Sequence, residues 1–171
     1  MKKIKIILTI SLLTLLGACA QDDYSENVAQ YLESNGTKEQ YEYAYDELLK
    51  MLKTQYPKTE ENKKGWDFLE ENKEKSVSDM LTVLVPIYTS HFTKDEVKTM
   101  LNFYQSAAGK QLVLDRSKMT ESQKSAFTTY NSTELGKKIA EKQGVLSTEI
   151  STASEGWSRD LYETAVSLLK Q

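Results

Sequence analysis

Scarcity of helix breakers is the strongest constraint on what this chain can become. Pro57 and Pro86 are the only prolines in 171 residues, glycine occurs seven times, and the apolar residues between them recur at spacings of three and four. An apolar period near 3.6 with so little interruption specifies helices that each bury one stripe, because a half-buried strand needs a period of two. The expected fold is all-α, a compact bundle of roughly five to seven helices.

The first clear helix is expected from Thr37, a suitable N-cap, with Tyr41, Tyr45, Leu48, Leu49 and Leu52 on one face and Pro57 as its stop. A second is expected near Thr59, where Glu60 and Glu61 suit the positive end of the helix dipole. Its stripe is Trp66, Leu69, Val77, Met80, Leu81, Leu84 and Tyr88. The polar run from Asn72 to Ser76 reads either as a solvated turn of one long helix or as a break. Pro86 removes the hydrogen bond to the Thr82 carbonyl, which predicts a kink.

Thr93-Lys94-Asp95-Glu96 is a capping box that opens a further helix, buried through Val97, Met100, Leu101 and Tyr104 and widened by Phe103. Ser106 is placed to end that helix and cap the next, whose apolar positions are Leu112, Val113 and Met119. Helical spacing then continues through Phe127, Tyr130, Leu135, Ile139, Leu146, Ile150, Ala153, Trp157, Leu161 and Leu168, with Gly144 and Gly156 as the expected interruptions. No internal repeat of fixed period is evident.

The N-terminus carries a different message. Lys2, Lys3 and Lys5 precede an apolar run from Ile6 to Leu16, and Gly17 and Ala18 follow, in the order of a secretory signal. The run is too short to span a bilayer, which takes roughly 20 residues. Leu16-Gly17-Ala18-Cys19 resembles the lipobox of bacterial lipoproteins, which implies cleavage between Ala18 and Cys19 and diacylglyceryl modification of Cys19. Two acyl chains suffice for stable anchoring. The expected division is residues 1–18 as lipoprotein signal, 19–36 as acylated cysteine and tether with a possible short helix, and 37–171 as one helical domain. Ala20, rather than aspartate, follows the cysteine, which favours the outer membrane facing the periplasm; Asp22-Asp23 can also be read as a surface-export signal or as a plain solvated linker.

Composition narrows the partners. The whole-chain net charge of −3 becomes −6 once the three leader lysines leave. An acidic chain without a basic stripe lacks the footprint of a nucleic-acid binder and is repelled by anionic headgroups, so the lipid, not a charged face, is expected to hold it at the membrane.

One linked series of residues carries a resemblance. Val85-Pro86-Ile87-Tyr88, Phe92-Thr93, Glu96-Val97 and Phe103-Tyr104-Gln105-Ser106-Ala107-Ala108-Gly109-Lys110 are similar to the signature of the bacterial envelope family catalogued as domain of unknown function 2059. Ala107 stands where that family usually has proline, which weakens the helix break expected at Ser106. The resemblance implies an all-helical, secreted or periplasmic domain and no activity. On physical grounds Pro86, Tyr88, Phe92, Thr93, Glu96, Phe103, Tyr104, Ser106 and Gly109 are expected to define the fold: Thr93 and Glu96 as a cap, Phe103 and Tyr104 as buried area, Gly109 as a close-approach position.

No catalytic constellation is found. His91 is the sole histidine and Cys19 the sole cysteine, so no metal and no cofactor are expected. His91 is expected to complement a helix C-terminus or pack beside Phe92. Neither a nucleophile elbow nor a phosphate loop occurs. Glu60 with Glu61, and Glu70 with Glu71, are adjacent pairs expected on solvated faces. Of Tyr41, Tyr43 and Tyr45, only Tyr43 is expected to be exposed. The leading expectation is a lipid-anchored module, not an enzyme, that binds an envelope protein, a glycan or a hydrophobic ligand between its helices. The alternatives are an envelope glycan or cell-wall hydrolase using paired carboxylates, and a structural lipoprotein supporting envelope integrity.

Overall fold

The computed structural model of the chain describes residues 15–170. It comprises α1 (Leu15–Ser34), α2 (Thr37–Gln55), α3 (Lys63–Glu71), α4 (Lys73–His91), α5 (Lys94–Gln105), α6 (Ala107–Asp115), α7 (Glu121–Ser132) and α8 (Glu134–Leu169), with a short 3-10 turn at Arg116–Lys118. The fold is an all-α bundle with no strand among the described residues. Eight helices exceed the expected five to seven because polar caps cut stretches that periodicity alone joins. The second expected helix divides at Asn72, inside the polar run, into α3 and α4.

The expected leader up to residue 14 lies outside the described residues. The segment expected as a tether is helical backbone in α1, which passes through Ala18 and Cys19. From Tyr24 onward its side chains belong to the body: Val28 and Leu32 are fully buried, and Tyr31 nearly so. Asp23 pairs with Lys94, and the Tyr24 hydroxyl donates to the Phe92 carbonyl, fixing the start of the packed region to the α4–α5 junction.

Two apolar clusters hold the bundle. One joins Val28, Tyr31 and Leu32 of α1 to Val77, Met80, Leu81, Leu84 and Tyr88 of α4 and to Val97, Met100 and Leu101 of α5. The other joins Tyr45, Leu49 and Leu52 of α2 to Trp66 and Leu69 of α3 and to Leu161, Ala165 and Leu169 of α8. Trp157 touches both, with its indole N–H donating to the Ser76 hydroxyl at 3.1 Å. Tyr41 is buried against Trp157 while Tyr43 stays 65% exposed, as the α2 periodicity requires.

Several local expectations are corrected. Thr37 is the first helical residue, not the cap; Gly36, at φ 88°, occupies the N-cap position, and the Asn35 side chain accepts from the Thr37 amide at 3.0 Å. Thr59 does not start a helix, because Asn62 folds the 57–62 segment into a turn by accepting from the Thr59 amide and donating to the Pro57 carbonyl. Gly144 and Gly156 interrupt nothing: both lie inside the 36-residue α8, where a glycine costs only about 1 kcal/mol. The Leu112–Val113 stripe does not bury α6, which packs instead through Ala108 and Gly109, leaving Val113 exposed. The break at Ser106 is present despite Ala107, since Ser106 is extended and its hydroxyl accepts from the Gly109 amide at 3.2 Å.

The structure also overturns the absence of a repeat. Helices α5 and α7 are both 12 residues long, lie 27 positions apart, and each opens with a capping box, Thr93/Glu96 and Thr120/Gln123. Each ends in an extended residue, Ser106 or Thr133, whose hydroxyl donates to the carbonyl three residues back, at 2.6 and 2.7 Å. Each next helix places a glycine, Gly109 or Gly136, under that cap. A Cβ on Gly109 would lie 2.2 Å from the Phe103 carbonyl oxygen, and one on Gly136 would lie 2.5 Å from that of Tyr130, so both turns demand glycine. Residues 92–118 and 119–145 are thus two units of one helical hairpin, and their equivalent rings, Phe103 and Tyr130, stack at 4.0 Å and 8°.

Candidate functional site

The first half of α8 and the end of α7 cross the α1, α4 and α5 layer and leave a groove of about 700 Å³ between them. Tyr31, Tyr88, Phe92 and Met100 form its floor, and Ile139, Leu146 and Ile150 of α8 form its wall. The size falls within the roughly 300–1,000 Å³ of small-ligand sites, and an apolar body with few polar groups is their usual chemistry. Asn131, Gln143 and Ser147 supply neutral polar groups, and Lys137 is the only charged side chain in the lining.

Two polar side-chain contacts hold α8 over this floor. Near one end the Lys138 ammonium lies 2.7 Å from the Glu96 carboxylate and 5.5 Å from the centre of the Phe92 ring. Near the other, His91 Nε2 lies 2.9 Å from Glu149 Oε2. His91 therefore does pack at the end of α4, but it serves as a cross-link from α4 to α8, a contact that sequence order cannot show.

Among the described residues the groove lining holds no carboxylate. Burial holds the Tyr31 hydroxyl well above its ordinary pKa and pushes Tyr88 up to about 12, so both remain neutral donors at physiological pH. The carboxylates with displaced pKa values are all lowered. Hydrogen bonding to Lys94 holds Asp23 down, Lys58 does so for Asp67, and the Ser117 hydroxyl for Asp115. Burial raises Glu96, but Lys138 and the Thr93 amide outweigh it, and the net shift is downward. Among the described residues no group of three or more His, Cys, Asp or Glu side chains is arranged to hold a metal ion.

The family-motif residues fall into two sets. Thr93, Glu96, Ser106 and Gly109 build caps and a close helix crossing, and Phe103 stacks in the hairpin pair. Tyr88 and Phe92 reach the groove floor, a role that their helical spacing did not reveal. Pro86 sits on the exposed side of α4, which runs on unbroken to His91. Tyr104 meets Tyr31 edge-on with ring centres 5.5 Å apart. Sequence reasoning missed Tyr31, Ile139, Leu146 and Ile150 as groove residues, since each reads as an ordinary core position. The side chains of Ala18 and Cys19 lie outside the description.

No helix of the described residues is long and apolar enough to cross a membrane. No curated protein and no solved structure matches the chain. Residues 78–127, which run from α4 into α7 and include the whole first hairpin unit, match the family described as "Uncharacterized protein conserved in bacteria (DUF2059)", the family whose motif this segment carries.

Proposed function

We propose that the chain is a lipid-anchored envelope lipoprotein that works by binding, and that its ligand is a single-chain amphiphile held in the groove beneath α8. The groove carries this reading: its floor and wall suit an acyl chain, and Lys137, the single charge of its lining, suits an anionic polar end. Among the described residues Lys137 is paired only with Glu134 on its own helix, at 2.7 Å, and both side chains are largely exposed. Such a pair contributes little and yields readily to a better-placed anion. That the lining holds no carboxylate among the described residues supports binding over hydrolysis by paired acids.

The address rests on Cys19. Lipid on that residue would leave the start of α1, and Asp23 and Tyr24 fasten the same helix to the α4–α5 junction. This supports a domain carried close to the membrane, and Ala20 directly after the cysteine favours the outer membrane facing the periplasm. Replacing Cys19 with serine should move the protein from the membrane fraction to the soluble fraction; retention in the membrane would refute the anchor. The soluble Cys19→Ser mature chain should bind myristate in the groove, and Ile139→Glu should abolish that binding while leaving the helical content intact. Unchanged myristate affinity in Ile139→Glu would refute the groove as its site.

A further inference from the structure

The hairpin repeat has a counterpart in the surface it creates. A second groove, of about 730 Å³, lies between the α1–α2 turn, the exposed side of α2 and helix α6. From the first hairpin unit it takes Tyr104, Lys110, Leu112, Val113 and Leu114. A shift of 27 residues carries the first four onto Asn131, Lys137, Ile139 and Ala140, which line the groove beneath α8, and carries Leu114 onto Glu141, which does not. Each groove is therefore built in the same way. The second helix of a hairpin unit supplies one wall, with a lysine directly after the buried glycine and an aliphatic pair two and three residues further on. The grooves lie back to back, because Tyr31 of the first meets Tyr104 of the second.

What differs is charge. The groove beneath α8 has Lys137 alone, whereas its counterpart adds Glu33 and Glu39 from the α1–α2 side to Lys110. Its apolar surface is already uncovered: Tyr43 is 65% exposed, Val113 41% and Leu114 81%. Gly36, at φ 88°, brings the α1–α2 turn against Val113, where an added Cβ would lie 3.1 Å from Val113 Cγ1. The groove thus pairs an apolar wall with one cation and two anions at a fixed turn.

We infer that the duplicated hairpin gives the protein two amphiphile sites, and that the second, at Lys110, Glu33 and Glu39, takes an acyl chain with a zwitterionic, amine-bearing head. Lys110 faces the anionic part of that head, and the two glutamates face its ammonium group. The inference rests on the amphiphile reading of the first groove, and the two are separable by experiment.

The mature chain carrying Cys19→Ser is titrated with myristate and with myristoyl lysophosphatidylethanolamine, and stoichiometry is read by native mass spectrometry and affinity by calorimetry. One myristate and one lysophospholipid are expected to bind together. Lys137→Glu should weaken myristate about tenfold and leave the lysophospholipid unchanged. Glu33→Gln with Glu39→Gln should weaken the lysophospholipid about tenfold and leave myristate unchanged. Both positions are on the surface, and an unaltered circular dichroism melt shows that the variants fold. Myristate binding with no second ligand, or lysophospholipid binding abolished by Lys137→Glu, overturns the second site while leaving the first intact. Failure of myristate alone overturns the reading of the first groove and not the lysophospholipid site.

Discussion

The two hairpin units, residues 92–118 and 119–145, share a backbone but hardly a sequence. Over 27 paired positions only Thr93/Thr120, Gly109/Gly136 and Lys110/Lys137 are identical. Phe92 and Met119 are both buried just before the capping box. What is repeated is the minimum a tight helix–helix turn requires: a hydroxyl that caps, a glycine that lets two backbones meet, and an aromatic residue before the turn. What varies is everything that faces a different environment. The first unit ends after the nine residues of α6, whereas the second continues through the 36 of α8 and becomes the wall of the groove.

The largest expected effect comes from filling the shared glycine. Gly109→Ala puts a methyl group where the Phe103 carbonyl oxygen and the Tyr104 Cα already are, at 2.2 and 2.4 Å, and backbone cannot swing aside as a long side chain would. A loss of about 3 kcal/mol is expected by chemical denaturation, at the upper end of overpacking costs. Gly136→Ala meets two carbonyl oxygens at 2.5 Å and should cost nearly as much. A neutral result at either position would show that the two turns are not built alike. Gly144, with open space around it, is the control: Gly144→Ala should stabilise by up to about 1 kcal/mol.

Next come the hydroxyl caps. Ser106→Ala and Thr133→Ala each remove the acceptor for the Gly109 or Gly136 amide, and each should lower stability by about 1 kcal/mol. The two losses should match within a few tenths if the turns are equivalent, which thermal unfolding of both variants can check.

These local devices also mark how far the sequence could be read. The stripes of α2, α4 and α5 were legible because Tyr41, Tyr45, Leu49 and Leu52, or Val77, Met80, Leu81 and Leu84, obey one period over several turns. The Thr93–Glu96 capping box was legible because it is complete within four residues. The hairpin repeat was not, since Glu96 against Gln123 and Phe103 against Tyr130 preserve roles while changing identities. The groove was hidden for another reason. Tyr31, Tyr88 and Ile139 lie on three helices far apart in sequence, and periodicity gives the face each helix buries but not which neighbour it leaves partly uncovered.

A difference inside the stacked ring pair gives a prediction of opposite sign. Tyr130 carries a hydroxyl that Phe103 lacks, and it is buried with no hydrogen-bond partner among the described residues. Burial raises its pKa, so it stays a neutral phenol at neutral pH. An unsatisfied buried hydroxyl costs about 1 kcal/mol or more. Tyr130→Phe should therefore stabilise the fold by about 1 kcal/mol, read as a higher melting midpoint, while keeping the stack on Phe103. A destabilised variant would mean that the hydroxyl is satisfied in solution.

The smallest effect separates the units by pH. The box of the first closes with Glu96, which can titrate, and that of the second with Gln123, which cannot. Burial pushes the Glu96 carboxyl up, but the Lys138 ammonium and the Thr93 amide hold it below its ordinary value of 4.5. A carboxylate whose folded pKa is depressed binds its proton more weakly when folded than when unfolded. Its contribution is therefore present above the unfolded value and is lost as pH falls through the folded one. Acidification from neutral pH should loosen the Thr93 cap and the tie from Lys138 to α8, and leave the Thr120 cap unaffected. Amide hydrogen exchange reads this site by site: protection at the first turn of α5 should fall with acid, after correction for the intrinsic rate, while that of α7 should not. Glu96→Gln should make the two units behave alike, at a cost of no more than about 1 kcal/mol at neutral pH, since a glutamine still closes the box but no longer pairs with Lys138.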